Sequence, residues 1–242
     1  MAKTWVIPDI HGYAETLTNI LDHQIKPSKN DHLIFLGDYI DRGPNSKGVI
    51  DIIMNLEKSG HHITPLKGNH EDVCLKTREE SKRRKEFFGT RSISQMQANW
   101  EILGGRKTLN SFGISRADEI PEKYIRWMHS LKYYIELDHF FAVHAGFNFK
   151  ANDPFSDTQA MIWIRDYEVL PGKINNKKII HGHNPVNLKF IKSSLKFDIS
   201  HTIDLDNGIY FTHKAGYGNL IALELNSMEI KIQPVIENVE RA

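Results

Sequence analysis

Five short polar clusters, each directly after an apolar run, constrain the fold of this chain more than any other feature. The clusters occupy residues 9–12, 37–43, 68–71, 144–146 and 181–183 and read DIHG, GDYIDRG, GNHE, HAG and HGH. The runs before them, at 5–7, 33–36, 63–66, 140–143 and 179–180, are rich in β-branched and aromatic residues, which is typical of buried strands. Because loops leaving the carboxyl ends of neighbouring strands in α/β proteins meet at one crevice, we expect the five clusters to lie together.

The polar side chains of these clusters are ligands that divalent metal ions prefer. Carboxylate and amide oxygens with imidazole nitrogens suit manganese, iron, zinc or nickel rather than copper(I) or an iron–sulfur cluster. The predicted ligands are Asp9, His11 and Asp38 for one ion and Asn69, His144 and His183 for the other. Asp38 is predicted to bridge, because a carboxylate can span ions about 3.5–4 Å apart. His181 is expected to be structural, with an indirect contact to the metal as the alternative.

Two neighbouring cations predict metal-assisted hydrolysis of a phosphoester. A water between them loses a proton near neutral pH, and the resulting bridging hydroxide can attack phosphorus. The departing oxygen needs a proton donor, for which we predict His70, beside Asn69. Asp41 is predicted to accept a bond from one nitrogen of His70, which would fix the tautomer and leave the other nitrogen to protonate the leaving group.

Arginine side chains near the clusters are predicted to bind the phosphate. Arg42 lies in the second cluster, and its planar guanidinium suits bidentate contacts to phosphate oxygens. Arg165 is the candidate for a second contact, and pairing with Asp166 or Glu168 on the surface is its alternative. Asn69 is predicted to contact the substrate as well as the metal.

In this order the clusters resemble the phosphoprotein phosphatase branch of the calcineurin-like metallophosphoesterases. Residues 99–113, with Gly104–Gly105 and Thr108, and residues 203–225 are also similar to its compact bacterial serine/threonine phosphatases. Wider members usually end in Gly-His-x-His, whereas residues 182–185 read Gly-His-Asn-Pro, which favours the phosphatase branch. The resemblance implies an α/β (α+β) fold in which helices flank a β-sandwich, a dinuclear metal site at the strand ends, and hydrolysis in one step without a phosphoenzyme.

Three functions are compatible with these residues. The leading one is a serine/threonine protein phosphatase acting on a phosphorylated protein or peptide, with phosphotyrosine as an additional candidate substrate. It would use two divalent ions, for which manganese is expected and iron, zinc or nickel are alternatives. The second is a symmetrical dinucleoside polyphosphate hydrolase, for which Phe87, Phe88 and Trp100 could form an adenosine platform. The third, a non-catalytic metal-binding regulator, is disfavoured because His70 and Arg42 serve chemistry rather than ion retention.

Composition agrees with an intracellular enzyme. With 242 residues, of which 40% are hydrophobic and 25% charged, the chain can form one domain over 1–242. Thirty-one basic and thirty acidic residues produce no global field for nucleic acid or an anionic membrane. The single cysteine, Cys74, is expected to be a small apolar helix residue in a reducing cytoplasm, and no signal peptide or membrane span is expected.

The segments between the clusters predict further helices and strands. Helices are expected over 13–21 and over 46–56, the second behind a Ser46 cap, and strands at 203–205, 209–211, 220–225 and 230–235 are expected to complete a second sheet. Residues 76–112 are a candidate helical cap over the metals. Its basic first half could attract a polyanionic substrate, and a solvated helix face of mixed charge is the alternative.

Overall fold

Two β-sheets carry the five clusters in the computed structural model, which describes residues 2–88, 93–196 and 200–237. The first sheet contains β1 (Thr4–Ile7), β2 (His32–Phe35), β3 (His62–Pro65), β8 (Asn219–Glu224) and β9 (Glu229–Pro234). The second contains β4 (Tyr134–Glu136), β5 (Phe140–Val143), β6 (Lys178–His181) and β7 (Thr202–Asp204). Their strand orders are β3-β2-β1-β8-β9 and β4-β5-β6-β7.

Helices cover the outer faces of both sheets. They are α1 (Ala14–Asn19), α2 (Ser46–Lys58), α3 (Asn69–Phe88), α4 (Gln95–Trp100), α5 (Arg106–Phe112), α6 (Glu122–Ser130), α7 (Thr158–Trp163) and α8 (Leu188–Lys196). π-helical turns follow α1 at Ile20–Ile25 and α4 at Glu101–Gly105, and short 3-10 turns lie at Ala117–Glu119 and Pro171–Ile174. The structure therefore has the predicted α/β fold, with helices around two packed sheets.

Strands β1 and β2 of the first sheet are apolar and buried on both faces. Val6 and Ile34 point between the sheets and pack with Ile180 and Ile203 of the second sheet. Trp5 and Ile7 lie on the other face of the first sheet and pack against helices α1 and α2. A strand buried on both sides reads as a continuous apolar run, which explains why the runs before the clusters show no polar alternation.

Parallel pairing brings the clusters to one edge. Strands β1, β2 and β3 are parallel neighbours, and so are β5, β6 and β7. The first three clusters therefore leave the carboxyl ends of one sheet, and the last two leave the carboxyl ends of the other.

The carboxyl-terminal expectations are partly wrong. Residues 209–211 form a turn instead of a strand. Strand β8 pairs with β1 and β9 pairs with β8, so both belong to the first sheet instead of completing the second. Strand β4 carries no strong apolar run and is missing from the sequence prediction. Asn45, not Ser46, caps α2, since its side chain accepts a bond from Gly48 N.

The basic residues of α3 mostly pair with nearby acids. Arg78 and Lys82 contact Glu122, and Lys76 contacts Asp72. These ion pairs favour the mixed-charge helix face over a free cationic surface. Cys74 is buried on this helix, as predicted. Across the described residues, we find no helix that combines the length and the apolar character of a membrane span.

A pair of stacked histidines at the start of β2 and β3 predicts acid sensitivity. The rings of His32 and His62 are 3.8 Å apart, and burial, followed by His62 and Lys132, lowers the pKa of His32 to about 4. The unfolded chain would bind a proton there from about pH 6.5 downwards. We therefore expect the free energy of unfolding to decrease between about pH 6.5 and about 4, by on the order of 1 kcal/mol after allowing for partial exposure.

Urea unfolding at about pH 7 and about pH 5 would measure this effect. The variant His32→Gln should lose less stability on acidification than the parent chain, whereas His23→Gln, at an exposed position, should behave like the parent. An equal loss in His32→Gln and the parent would contradict the assignment.

Candidate metal centre

Backbone hydrogen bonds join the first two clusters, and a third contact joins them to the last. The carbonyl of Asp38 accepts bonds from the backbone N–H groups of Ile10 and His11, at 3.1 and 2.8 Å. The backbone N–H of His183 lies 3.1 and 3.2 Å from the carboxylate oxygens of Asp9. Loops that are 174 positions apart in the sequence therefore meet at one place.

Several residues of the clusters adopt the left-handed backbone conformation. Five of the nine non-glycine residues with positive φ in the described part of the chain belong to the clusters: His11, Asp38, Asp41, Arg42 and His183, with φ between 46° and 72°. Such conformations cost on the order of 1 kcal/mol or more per residue and concentrate at functional sites. The fold therefore holds strained backbone at the predicted site.

The first group of potential metal ligands contains His11, Asp38 and His70. His11 Nε2 lies 3.6 Å from Asp38 Oδ2, and His70 Nε2 lies 3.8 Å from the same oxygen. Asp9, predicted as a ligand of this ion, is buried next to His183 and does not join this group. His70 is therefore close enough to Asp38 to share a metal ion with it, in addition to its predicted role as proton donor.

The second group contains Asp38, His144 and His183. His144 Nε2 lies 3.5 Å from Asp38 Oδ1 and 3.2 Å from His183 Nδ1. Asn69 Oδ1 is 3.0 Å from His144 Nε2, so Asn69 lies beside the second group. Asp38 belongs to both groups, with one oxygen directed to each.

The histidine tautomers fit a metal centre. Nδ1 of His11 donates to the carbonyl of Ile40 at 2.9 Å, and Nδ1 of His144 donates to the carbonyl of Leu36 at 3.0 Å. With the proton on Nδ1, each ring presents the lone pair of Nε2 to the cluster. Lone pairs and carboxylate oxygens that face one another at these distances suit divalent cations.

Electrostatics agree with the donor chemistry. Burial lowers the pKa of His11 and His144, and it lowers the pKa of His183 to about 3, so these rings are neutral and able to bind metal. Burial would raise the pKa of Asp38, but the surrounding imidazoles, His144 first, hold it well below its usual range. Burial and then the carboxylates of Asp206 and Asp38 raise the pKa of Asp9. Bound cations would reduce the electrostatic repulsion between these carboxylates.

His70 of the first group forms a buried pair with Asp41. His70 Nδ1 lies 2.6 Å from Asp41 Oδ2, which leaves Nε2 facing the site. Burial would lower the pKa of His70, but Asp38 and the bond to Asp41 outweigh burial and raise it. The ring is therefore oriented and able to carry a proton.

Arg42 lies across the mouth of the first group. Its guanidinium nitrogens are 3.0 Å from His11 Nε2 and 3.3 Å from His70 Nε2, and Tyr210 supports its guanidinium carbon from 4.0 Å. Aromatic stacking of this kind stabilises a cation and restricts its movement. The sequence analysis did not identify Tyr210, because a lone tyrosine in a turn has no distinguishing pattern.

Arg165 and His181 lie outside the ligand groups. Arg165 is exposed, and its Nη1 donates to Asn184 Oδ1 at 3.0 Å. His181 Nδ1 lies 3.1 Å from the carbonyl of Gly182 and 4.0 Å from Asp204, which favours a structural role.

Glu71 is a second residue to which the sequence analysis assigned no role. Its buried carboxylate accepts bonds from the backbone N–H groups of Asp38, Tyr39 and Gly68, at 2.8 to 3.0 Å. It therefore ties the second cluster to the third. Its position in the first turn of α3, directly after Asn69 and His70, was the available signal, since acidic side chains are favoured at the amino-terminal end of a helix.

Sequence comparisons place the chain among phosphoesterases. The model of the calcineurin-like phosphoesterase family matches residues 2–215. The chain is 35% identical over 77 residues to serine/threonine-protein phosphatase 1 of Salmonella typhimurium and 41% identical over 71 residues to serine/threonine-protein phosphatase 2 of Escherichia coli. It is 38% identical over 78 residues to the asymmetrical bis(5'-nucleosyl)-tetraphosphatase PrpE of Oceanobacillus iheyensis. These alignments cover 32%, 29% and 28% of this chain and 33%, 30% and 30% of the relatives.

Solved structures share the fold over almost the whole chain. A protein serine/threonine phosphatase of Saccharomyces cerevisiae matches with a TM-score of 0.62 at 15% identity, over 99% of this chain and 82% of that chain. The cold-active protein-tyrosine phosphatase of a Shewanella species matches with a TM-score of 0.61 at 15% identity, over 96% and 80%. With the family match spanning most of its length, the chain belongs to the calcineurin-like phosphoesterase family.

Proposed function

We propose that this chain is a metal-dependent phosphoester hydrolase that acts as a serine/threonine protein phosphatase. One observation carries the proposal: two groups of potential metal ligands share Asp38, His70 of the first group is paired with Asp41, and the Arg42 guanidinium lies directly beside that group. The alignments with two bacterial serine/threonine phosphatases support the substrate class.

The proposed ligands are those of the sequence analysis. They are Asp9, His11 and Asp38 for one ion and Asn69, His144 and His183 for the other, with Asp38 shared, although the Asp9 carboxylate accepts a bond from His183 N and lies outside the group of His11, Asp38 and His70. We propose manganese, with iron, zinc or nickel as alternatives, because the donors are oxygens and imidazole nitrogens. When bound, such ions supply Lewis acidity and activate water near neutral pH.

The remaining side chains bind the phosphate and move a proton. Arg42 neutralises phosphate oxygens from a position fixed by Tyr210, and Arg165, held by Asn184, is the candidate second contact. His70, oriented by Asp41, donates a proton from Nε2 to the departing oxygen. An oxygen from water forms the new bond to phosphorus as the bond to the leaving oxygen breaks, and the products are inorganic phosphate and an alcohol.

Dinucleoside polyphosphate hydrolysis is the second candidate, which the alignment with a nucleosyl-tetraphosphatase favours. Trp100 cannot serve as the adenosine platform, because it is fully buried, and the side chains of Phe87 and Phe88 lie outside the described residues. Trp163 is a better placed aromatic side chain, since it is 39% exposed and its ring centroid is 6.4 Å from that of His183.

A direct assay separates the two candidates. We expect metal-reconstituted protein to release phosphate from a phosphoserine peptide with a higher kcat/KM than it shows for diadenosine tetraphosphate. The reverse order would identify the dinucleotide activity, and the nucleotide products would show whether cleavage is symmetrical or asymmetrical.

Metal removal tests the ion requirement. Dialysis against a chelator should abolish phosphate release, and adding back manganese should restore it, because the ions held around Asp38 would supply the Lewis acidity and the activated water. Thermal unfolding of the same samples provides a readout besides activity, since ions that bind only the folded chain raise Tm. Full turnover in chelated, metal-free protein would contradict the proposal.

A further inference from the structure

Asp41 receives two side-chain hydrogen bonds from a distant part of the chain. Its carboxylate is fully buried, and Oδ2 accepts from Trp100 Nε1 at 2.9 Å in addition to His70 Nδ1. The other oxygen, Oδ1, accepts from the hydroxyl of Thr108 at 2.6 Å. Both oxygens of the carboxylate are therefore held.

The hydroxyl of Thr108 fixes both the main chain and the side chain of Asp41. It has one hydrogen, and the 2.6 Å contact directs that hydrogen to Asp41 Oδ1. Its lone pairs then accept from the backbone N–H of Asp41 at 2.9 Å and from the hydroxyl of Ser46 at 3.0 Å. A side chain without a hydroxyl at position 108 could make none of these bonds.

The turn between Trp100 and Thr108 is built for close approach. The indole is fully buried, and an added Cβ at Gly105 would lie 2.4 Å from its ring atoms. Gly104 has φ of 113°, and its carbonyl accepts a bond from Arg42 N at 3.3 Å. Side chains at these two positions would displace the indole from Asp41 and the turn from Arg42.

Residues 94–113, which contain Trp100 and Thr108, are held in place by hydrogen bonds at several points. Ser94 caps α4 by accepting a bond from Gln97 N. The Gln97 amide donates to the carbonyl of Ser115, and Ser111 accepts a bond from the backbone N–H of Lys47 at 3.1 Å. Residues 94–113 thus pack as fixed structure behind Asp41 and Arg42.

We propose that Trp100 and Thr108 are positioning residues for the His70–Asp41 pair. Rotation of an aspartate carboxylate about its last torsion is soft, so one bond to His70 would leave its orientation poorly defined. Donors on both oxygens hold the plane of the carboxylate and thereby the direction of the His70 ring. The inference rests on the proposed role of His70 as proton donor.

Three variants test the proposal, each with metal content and Tm measured. Thr108→Val removes the hydroxyl at similar volume, Thr108→Ser retains it, and Trp100→Phe removes the indole N–H. We expect Thr108→Val and Trp100→Phe to lower kcat on a phosphoserine peptide by roughly 10–100-fold. The loss on p-nitrophenyl phosphate should be much smaller, because nitrophenolate leaves without a proton. Thr108→Ser should recover most of the activity, and metal content should be unchanged.

The geometry also has a readout that needs no turnover. The His70 Nδ1–H bonded to Asp41 should produce a far-downfield proton NMR signal, assigned by its loss in His70→Asn. We expect this signal to shift or broaden in Trp100→Phe and Thr108→Val and to persist in Thr108→Ser.

Leu109→Ala is the matched control, since Leu109 is fully buried in the same helix. This variant should have a lower Tm. The ratio of its kcat on the phosphoserine peptide to its kcat on p-nitrophenyl phosphate should be unchanged, and so should the NMR signal. The proposal is overturned if Trp100→Phe and Thr108→Val behave like Leu109→Ala. If His70→Asn itself shows no dependence on the leaving group, the proton-donor assignment fails instead, and the NMR signal still tests the positioning.

Discussion

Replacing Asp38 with asparagine is expected to abolish turnover and metal binding together. Asp38 is the one side chain common to both ligand groups, with Oδ2 3.6 Å from His11 Nε2 and Oδ1 3.5 Å from His144 Nε2. The amide of asparagine has one acceptor oxygen, which can face only one of the two ligand groups. Its N–H groups would point at the lone pairs of the other ligand group. It also removes the negative charge that balances two cations.

The size of the effect follows from the loss of both ions. Metal ions supply several kcal/mol of transition-state stabilisation, so we expect turnover to decrease by about 10³-fold or more. Elemental analysis of the purified variant should show metal content falling in parallel with activity. An Asp38→Asn chain that retains two ions would contradict the shared-ligand assignment.

Asp31→Asn is the matched control for this substitution. Asp31 is also a nearly buried carboxylate, and it precedes β2, whereas Asp38 follows the same strand. Its oxygens accept bonds from the backbone N–H groups of Lys3 and Ser28, at 2.7 and 2.8 Å. The control should lose stability, because two bonds are weakened, and should retain its metal content.

The sequence predicts the part of the site that local pattern encodes. Apolar runs followed by Asp9, Asp38 and His144 are sufficient to predict strand ends, and parallel pairing brings such ends to one edge. The placement of β8 and β9 was not predictable in this way. Like β7, each of these strands contains both isoleucine and polar residues, and only packing decides which sheet such a strand joins.

The supporting residues of the site depend on contacts that no local pattern specifies. Trp100 and Thr108 are 59 and 67 positions from Asp41, and an aromatic residue reads equally well as an exposed platform or a buried donor. Similarity to bacterial phosphatases around residues 99–113 marked the segment but not its role. Whether residues 76–112 act as a cap stays a prediction, since residues 89–92 lie outside the description.

Replacing His70 with asparagine should separate catalysis from metal binding. His70 Nδ1 is held by Asp41 at 2.6 Å, and Nε2 is the atom that faces the site. The shorter asparagine cannot deliver a proton from this position, so kcat on a phosphoserine peptide should decrease by about 10²–10⁴-fold, the usual contribution of a general acid. Metal content should stay close to that of the parent chain, in contrast to Asp38→Asn.

The dependence on the leaving group distinguishes a lost proton donor from a lost ligand. Alkyl phosphates need a proton on the departing oxygen, whereas p-nitrophenyl phosphate does not, so His70→Asn should affect the peptide far more. His70 Nε2 also lies 3.8 Å from Asp38 Oδ2, a geometry that allows a metal ligand instead. If the variant loses metal and both substrates are slowed equally, His70 belongs with the ligands, and another residue must protonate the leaving group. Retained metal with a selective loss on the peptide assigns His70 to the proton transfer.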